Sequence, residues 1–143
     1  MPIVIDQMSE DPIYQQIRTQ VIGAIATGEL SPGEPLPSVR SLARDLGVNL
    51  HTVNKAYAVL RDEGYLIMRG RSGAFVADIR DSPVHHLTAE QDWLMGKELR
   101  RLAVAFRARG GSESAFVEEA ARQARAAFQT EKTLVKGAGT DER

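Results

Sequence analysis

The chain has 143 residues, 43% of them apolar and 26% charged, with no cysteine and a formal net charge of −1; this composition fits an ordinary soluble protein of one domain, or of one small module with an appendage. The length excludes large enzyme scaffolds, and the missing thiols exclude disulfides, thiolate zinc sites, iron–sulfur ligation and cysteine nucleophiles. The opening Met-Pro-Ile-Val-Ile-Asp-Gln has no signal-peptide pattern and the longest apolar run, residues 21–26, is far short of a membrane span, so the expected location is the cytoplasm, with no membrane partner.

Asp11 before Pro12 predicts a helix start, since Asp can accept first-turn backbone donors and Pro needs none. Ile13, Ile17, Val21, Ala24 and Ile25 then recur at helical spacing, and Gly28 closes the segment. Ser31-Pro32-Gly33, Pro35 and Pro37 impose turn and extended backbone. Ser38 is expected to cap a short helix over residues 39–45 with Leu42, Ala43 and Leu46 as its apolar stripe, ended by a left-handed Gly47 with Val48 plugging the corner. Asn49 is expected to cap a third helix, which turns Val53, Ala56, Tyr57 and Leu60 inward and ends at Gly64. His51, Thr52, Asn54 and Lys55 fall on or near its opposite side. Tyr65 as well as Tyr57 belongs to the core, because both lie on apolar faces.

Residues 65–69 and 74–78 read as strands joined by Gly70-Arg71-Ser72-Gly73, a hairpin with a basic tip. Residues 79–87, with Pro83, read as a linker, and Thr88 with Gln91 forms a capping box for a fourth helix. Met95, Leu99, Leu102 and Phe106 line one face of that helix as far as Gly110-Gly111. After Ser112 a fifth helix carries Val117, Ala120, Ala121, Ala124 and Phe128 on one face, with Glu118 and Arg122 paired outside. The pattern ends after Lys132. The expected fold is mainly α with a small β-hairpin: a winged helix-turn-helix over residues 1–78, the linker 79–87, a two-helix dimerisation hairpin over 88–132, and a flexible tail over 133–143.

The near-neutral net charge conceals segregation. Between residues 38 and 73 six cations (Arg40, Arg44, Lys55, Arg61, Arg69 and Arg71) face three anions (Asp45, Asp62 and Glu63). The order of helix, short helix, Gly-containing turn and polar-fronted helix is that of a helix-turn-helix, which offers its last helix to the DNA major groove, and a basic hairpin behind it is a wing. Asn49, His51, Thr52, Asn54 and Lys55 supply the short or cationic groups that reach base edges and phosphates. Arg40 has the planar fork suited to guanine or phosphate, and Ser38 at a positive helix end is a phosphate seat. Arg69 and Arg71 suit the minor groove, where Gly70 and Gly73 permit close backbone approach.

The runs LPSVRSLARDLGVNLHTVNKAYAVLRDEGYL and GRSGAFV, with the opening Pro-Ile-Tyr-Gln-Gln-Ile of the first helix, resemble the winged helix-turn-helix of the GntR family of bacterial transcription regulators. The resemblance implies DNA contacts from Arg40, from Leu50, His51, Thr52 and Asn54, and from the wing residues Arg69, Gly70, Arg71, Ser72 and Gly73. Leu50 and Asn54 stand where many relatives carry arginine, and Ala74 where threonine is common, so no preferred operator sequence carries over. The short two-helix appendage resembles the YtrA subfamily, which implies a dimeric repressor, often of transport genes.

Other readings have less to stand on. His85 and His86 are adjacent, so they point apart and complete no metal site. The strand RSGAFV lacks the further aromatics of an RNA-stacking sheet. No Walker loop, nucleophile elbow or dinucleotide fingerprint is present, so neither a cofactor nor an enzyme activity is expected. Trp93 reads as a helix-interface residue, or else as one wall of a site for an unidentified small-molecule effector. A winged helix can also serve as a protein-interaction adaptor that binds no DNA, and this is the alternative function. Two helices alone cannot bury the stripes Met95, Leu99, Leu102, Phe106 and Val117, Ala121, Ala124, Phe128, so a homodimer on an inverted-repeat operator is expected.

Overall fold

The computed structural model describes residues 2–78, 80 and 89–141, with side chains described as far as residue 129. The expected linker 79–87, His85, His86 and the Thr88 cap lie outside these residues, Arg80 excepted. The chain divides into two compact units, Met1–His86 and Leu87–Arg143.

In the first unit α1 (Ile13–Ala26), α2 (Val39–Leu46) and α3 (Leu50–Asp62) precede a hairpin of β1 (Leu66–Met68) and β2 (Ala74–Val76). Helical periodicity becomes packing directly: Ile17 and Val21 of α1 and Val53, Ala56 and Leu60 of α3 are completely buried. Tyr57 joins them, Leu42 and Ala43 of α2 close one side, and Leu66, Ala74 and Val76 close the other. Tyr65 is half-buried against this core. Arg18 of α1 donates Nε to Glu63 Oε1 at 2.7 Å, joining α1 to the end of α3 and raising the guanidinium pKa further through that bond.

The caps follow the sequence at α2 and α3. Ser38 accepts from the Ser41 amide at 3.1 Å, and Asn49 accepts from the His51 amide at 2.8 Å. Between these helices Gly47 sits at φ 67°, a left-handed conformation in which a Cβ would be strained. At α1 the expectation fails. Pro12 is itself the cap residue and makes no side-chain cap bond; its carbonyl accepts from Gln15 and Gln16. Asp11 therefore lies one position too early to cap the first turn.

The hairpin is shorter than its residue types suggested, pairing Leu66 with Val76, Ile67 with Phe75 and Met68 with Ala74. It also gains an edge that the prolines concealed. Gly33 N donates to Val76 O at 2.8 Å, Val76 N to Glu34 O at 2.9 Å, and Leu36 N to Ala74 O at 2.9 Å, with Pro35 opposite Phe75. Pro is tolerated at a sheet edge because an outward-facing position needs no donor.

A second unforeseen contact ties the first residues to α1. Gln20 accepts from Val4 N at 2.9 Å and donates to Val4 O at 2.7 Å; Gln16 does the same at Asp6, at 2.9 and 3.0 Å. Two extended residues advance about 6.7 Å and four helical residues about 6 Å, so amides one turn apart match alternate residues of an extended arm. Ile3 and Ile5 lie half-buried against the core.

The second unit pairs α4 (Ala89–Ala108) with α5 (Glu113–Asp141). Ser112 caps α5 through the Ala115 amide at 3.2 Å. At the corner the Phe106 and Phe116 rings meet with centroids 5.9 Å apart. A Cβ on Gly111 would lie 2.2 Å from the Phe106 ring, so any other residue there would displace that ring. Arg122 pairs with Glu119, three residues back, rather than with Glu118; both spacings bring side chains together on a helix. The backbone of α5 stays helical to Asp141, through most of the span expected to be a tail. The glycines there are poor helix formers, but no proline removes a backbone donor.

Candidate nucleic-acid interface

The buried stripe of α3 fixes what its other side presents. With Val53, Ala56, Tyr57 and Leu60 inward, Asn49, Leu50, His51, Asn54 and Lys55 are exposed and Thr52 is half-buried. Ser38 and Arg40 are exposed at the start of α2, and Arg69, Arg71 and Ser72 at the wing, with Gly73 half-buried. The wing tip is a 3-10 turn over Gly70–Ser72, closed by Arg69 N to Gly73 O at 2.9 Å. Gly70 at φ 53° and Gly73 at φ 94° hold the left-handed conformations that this tight reversal requires.

Ion pairing sorts the cations that composition could not. Arg44 lies 3.9 Å from Asp45 and Arg61 3.1 Å from Asp62. Among the described residues, Arg40, Lys55, Arg69 and Arg71 have no carboxylate partner. Two of these four are instead held by rings: Lys55 Nζ lies 4.0 Å from the Tyr14 ring centroid, and the Arg69 guanidinium 5.2 Å from that of Phe75. Such contacts orient a cation while leaving its N–H donors free. Sequence reasoning missed Tyr14 and Phe75 in this role, since only tertiary packing brings them to Lys55 and Arg69.

The caps impose a useful polarity. Ser38 Oγ and Asn49 Oδ1 accept from backbone amides, which leaves the hydroxyl hydrogen and the amide NH2 as donors. Outward donors beside unpaired cations suit an anionic ligand.

Behind this surface the Tyr57 phenol donates to the Pro37 carbonyl at 2.7 Å. Burial pushes the phenol up to about 12 from 10.0. Because the folded value lies above the ordinary one, folding favours the neutral phenol: this stabilisation is complete below pH about 10 and is lost as the pH rises to about 12. The shift corresponds to about 2 to 3 kcal/mol. Tyr57→Phe should therefore remove that part of the alkaline fall in stability, measured by urea titrations between neutral pH and the alkaline limb. An equally steep limb in the variant would contradict the assignment.

In the second unit, Leu99, Leu102, Ala105 and Phe106 of α4 and Phe116 and Ala120 of α5 line an open, mainly apolar groove of about 600 Å³, with Arg109, Glu119 and Gln123 also lining it. Of the residues expected to dimerise, Met95, Leu99, Leu102, Val117, Ala124 and Phe128 are exposed, while Phe106 and Ala121 are half-buried. Phe116, absent from the expected stripe, packs at the corner. Trp93 is 61% exposed and stacks under Lys97 Nζ at 4.6 Å, not at an interface between α4 and α5.

A three-helix core with a helix-turn-helix, a sheet wing and unpaired cations on both defines a winged helix-turn-helix protein. The model of bacterial regulatory proteins of the gntR family matches residues 13–76. The chain is 42% identical over 73 residues to the HTH-type transcriptional regulator Rv1152 of Mycobacterium tuberculosis, a match covering 51% of this chain and 60% of that protein. It is 43% identical over 77 residues to the HTH-type transcriptional repressor YtrA of Bacillus subtilis, covering 53% and 58%. Its structure is similar to that of YtrA from Sulfolobus acidocaldarius, a GntR-family transcription factor, with a TM-score of 0.56 and 44% identity over 71% of this chain and 97% of that one. The chain belongs to the GntR family and is YtrA-like, and the relatives are transcriptional regulators, not enzymes. It spans about 60% of the length of the two bacterial relatives. Among the described residues no helix is long and apolar enough to cross a membrane.

Proposed function

We propose that the protein is a sequence-specific DNA-binding transcriptional regulator, acting as a homodimeric repressor on an inverted-repeat operator. The observation that carries this reading is the coincidence of the unpaired cations Arg40, Lys55, Arg69 and Arg71 with the elements a helix-turn-helix and its wing present to DNA. The α3 face enters the major groove, where Asn54, His51 and Thr52 meet base edges and Leu50 offers an apolar contact. Ser38, Asn49 and Lys55 donate to phosphates, Arg40 reads a base or a phosphate, and Arg69, Arg71 and Ser72 follow the minor groove. Transport genes as the regulated set rest on the YtrA resemblance alone, and an unidentified effector is the one further partner the reading admits.

A second copy is the occupant proposed for the α4–α5 groove. A two-fold partner would cover Leu99 and Leu102 on both chains and present two α3 helices to successive half-sites, which requires an inverted repeat.

The test is binding of a duplex from the protein's own upstream region and of an unrelated duplex at two salt concentrations. Tight, salt-sensitive, selective binding is expected. Arg40→Ala should cost about 1 to 3 kcal/mol on the selected duplex and relax selectivity, while Arg71→Ala should lower the salt slope by about one if it contacts a phosphate. Failure to bind either duplex at low salt would favour the protein-interaction adaptor.

A further inference from the structure

We infer that Tyr57 is a positioning residue for DNA recognition, its hydroxyl being the clasp that sets the start of α2, with Ser38 and Arg40, against the recognition helix α3. The inference rests on the regulator reading and adds to it a residue that touches no DNA.

The segment of residues 33–38 leads from α1 into α2 and runs beside β2 of the wing. Its first half is held to β2 by the three backbone hydrogen bonds of Gly33, Glu34 and Leu36. Its last residue, Ser38, is held by α2 itself: the carbonyl accepts from Leu42 N at 2.9 Å and the hydroxyl from Ser41 N. Pro37 lies between these two anchors. Having no N–H, it offers only its carbonyl for fixing the backbone there. That carbonyl is the acceptor of the Tyr57 hydroxyl, across 20 positions of sequence at 2.7 Å.

The Tyr57 ring and hydroxyl have separable duties. Only 1% of the residue is exposed, and the ring fills core volume that phenylalanine would fill equally well. The hydroxyl is needed only where something must be held at its end. Tyr57 is three residues past Asn54 on the same helix, so the bond ties the helix that carries the base-reading residues to the turn that delivers Arg40. Without it α2 keeps its cap, its buried Leu42 and Ala43 and the packing of Leu36 and Val39 on the core, yet loses the directional bond that fixes the backbone at its start against α3. An arginine read bidentately tolerates little such displacement.

Tyr57→Phe is the test, since the ring that fills the core is retained. In the free protein, amide exchange at Ser41 and Leu42 should accelerate about fivefold, the size of one modest hydrogen bond, and exchange at Val21 and Leu60, which proceeds through global unfolding that breaks the same bond, should accelerate by no more than that. On the selected duplex, affinity should fall about fivefold with the salt slope unchanged. In the Arg40→Ala background the same change should cost less than it does alone, leaving only the share that passes through Ser38, whereas with Arg71→Ala the losses should multiply, because the wing is held by bonds that do not pass through Tyr57.

A merely structural hydroxyl would weaken binding equally in every background. Unchanged exchange at Ser41 and Leu42, unchanged operator affinity, or losses that multiply with Arg40→Ala would each overturn the inference. Should the unaltered protein select no duplex, the regulator reading falls and the role in recognition falls with it. The exchange measurement still decides whether the hydroxyl sets α2.

Discussion

A carboxylate in place of Leu102 should dissociate the protein into folded monomers and abolish tight operator binding. Leu102 is 45% exposed in the single chain and lines the α4–α5 groove, so Leu102→Asp takes little from the folding of one protomer. In the proposed dimer the same position is covered. A carboxylate buried there must be desolvated even with Arg109 in the same groove, at a cost of several kcal/mol, and two-fold symmetry imposes it twice, so dimerisation should weaken on the order of 10²-fold or more. Operator affinity should fall with it by about 10² to 10⁴, because each half-site would be engaged without the effective concentration that the partner supplies. Val104→Asp supplies the comparison: Val104 is exposed on α4 but does not line the groove, and the change should leave the dimer intact. Sedimentation at micromolar concentration reads both. A Leu102→Asp protein that remains dimeric, or an unaltered protein that is monomeric, would remove the groove as the interface.

The parts of this molecule legible from sequence are those set by neighbours within a turn or two. Ser38 and Asn49 cap where they were expected to because cap chemistry involves the next three residues, and the buried faces of α1, α2 and α3 follow from spacing alone. Contacts between distant segments left weaker traces. Pro35 and Pro37 argue locally against a strand, yet residues 33–36 pair with β2, since an edge can spare the missing donor. Nothing in Gln16 and Gln20 announces that their amides bind the backbone of Val4 and Asp6. Arg122 had Glu118 and Glu119 within reach, and spacing does not choose between them.

The site divides along the same line. Its residue types and their order were readable, so Arg40, Asn54 and Arg71 were named on sequence grounds. Whether a cation is free was not. Arg61 looks as capable as Arg40 in the sequence, and Arg44 is open there to either a phosphate or Asp45; folded geometry turns both toward the adjacent aspartate. The rings under Lys55 and Arg69, and the phenol at Pro37, depend on residues 20 positions apart or more or on the packing of separate elements.

Leu60→Ala is expected to cost about 2 to 5 kcal/mol of stability, the range for removing a large aliphatic side chain from a close-packed site. Leu60 is completely buried, on the stripe by which α3 meets α1 and β1, and its carbonyl accepts from Tyr65 N at 2.9 Å as the chain turns into the wing. Removing the side chain opens a cavity where the recognition helix and the wing share one support. Small domains are stable by about 5 to 15 kcal/mol, so the loss should lower the urea midpoint substantially with the slope unchanged. Arg40→Ala should do the reverse, leaving the midpoint in place while weakening the operator complex. The two variants therefore separate folding from recognition. At a temperature well below its melt, Leu60→Ala should bind the operator in proportion to its folded fraction, because none of its lost atoms faces DNA. Affinity falling far below that fraction would mean that the core sets the pose of α3 as well as its stability.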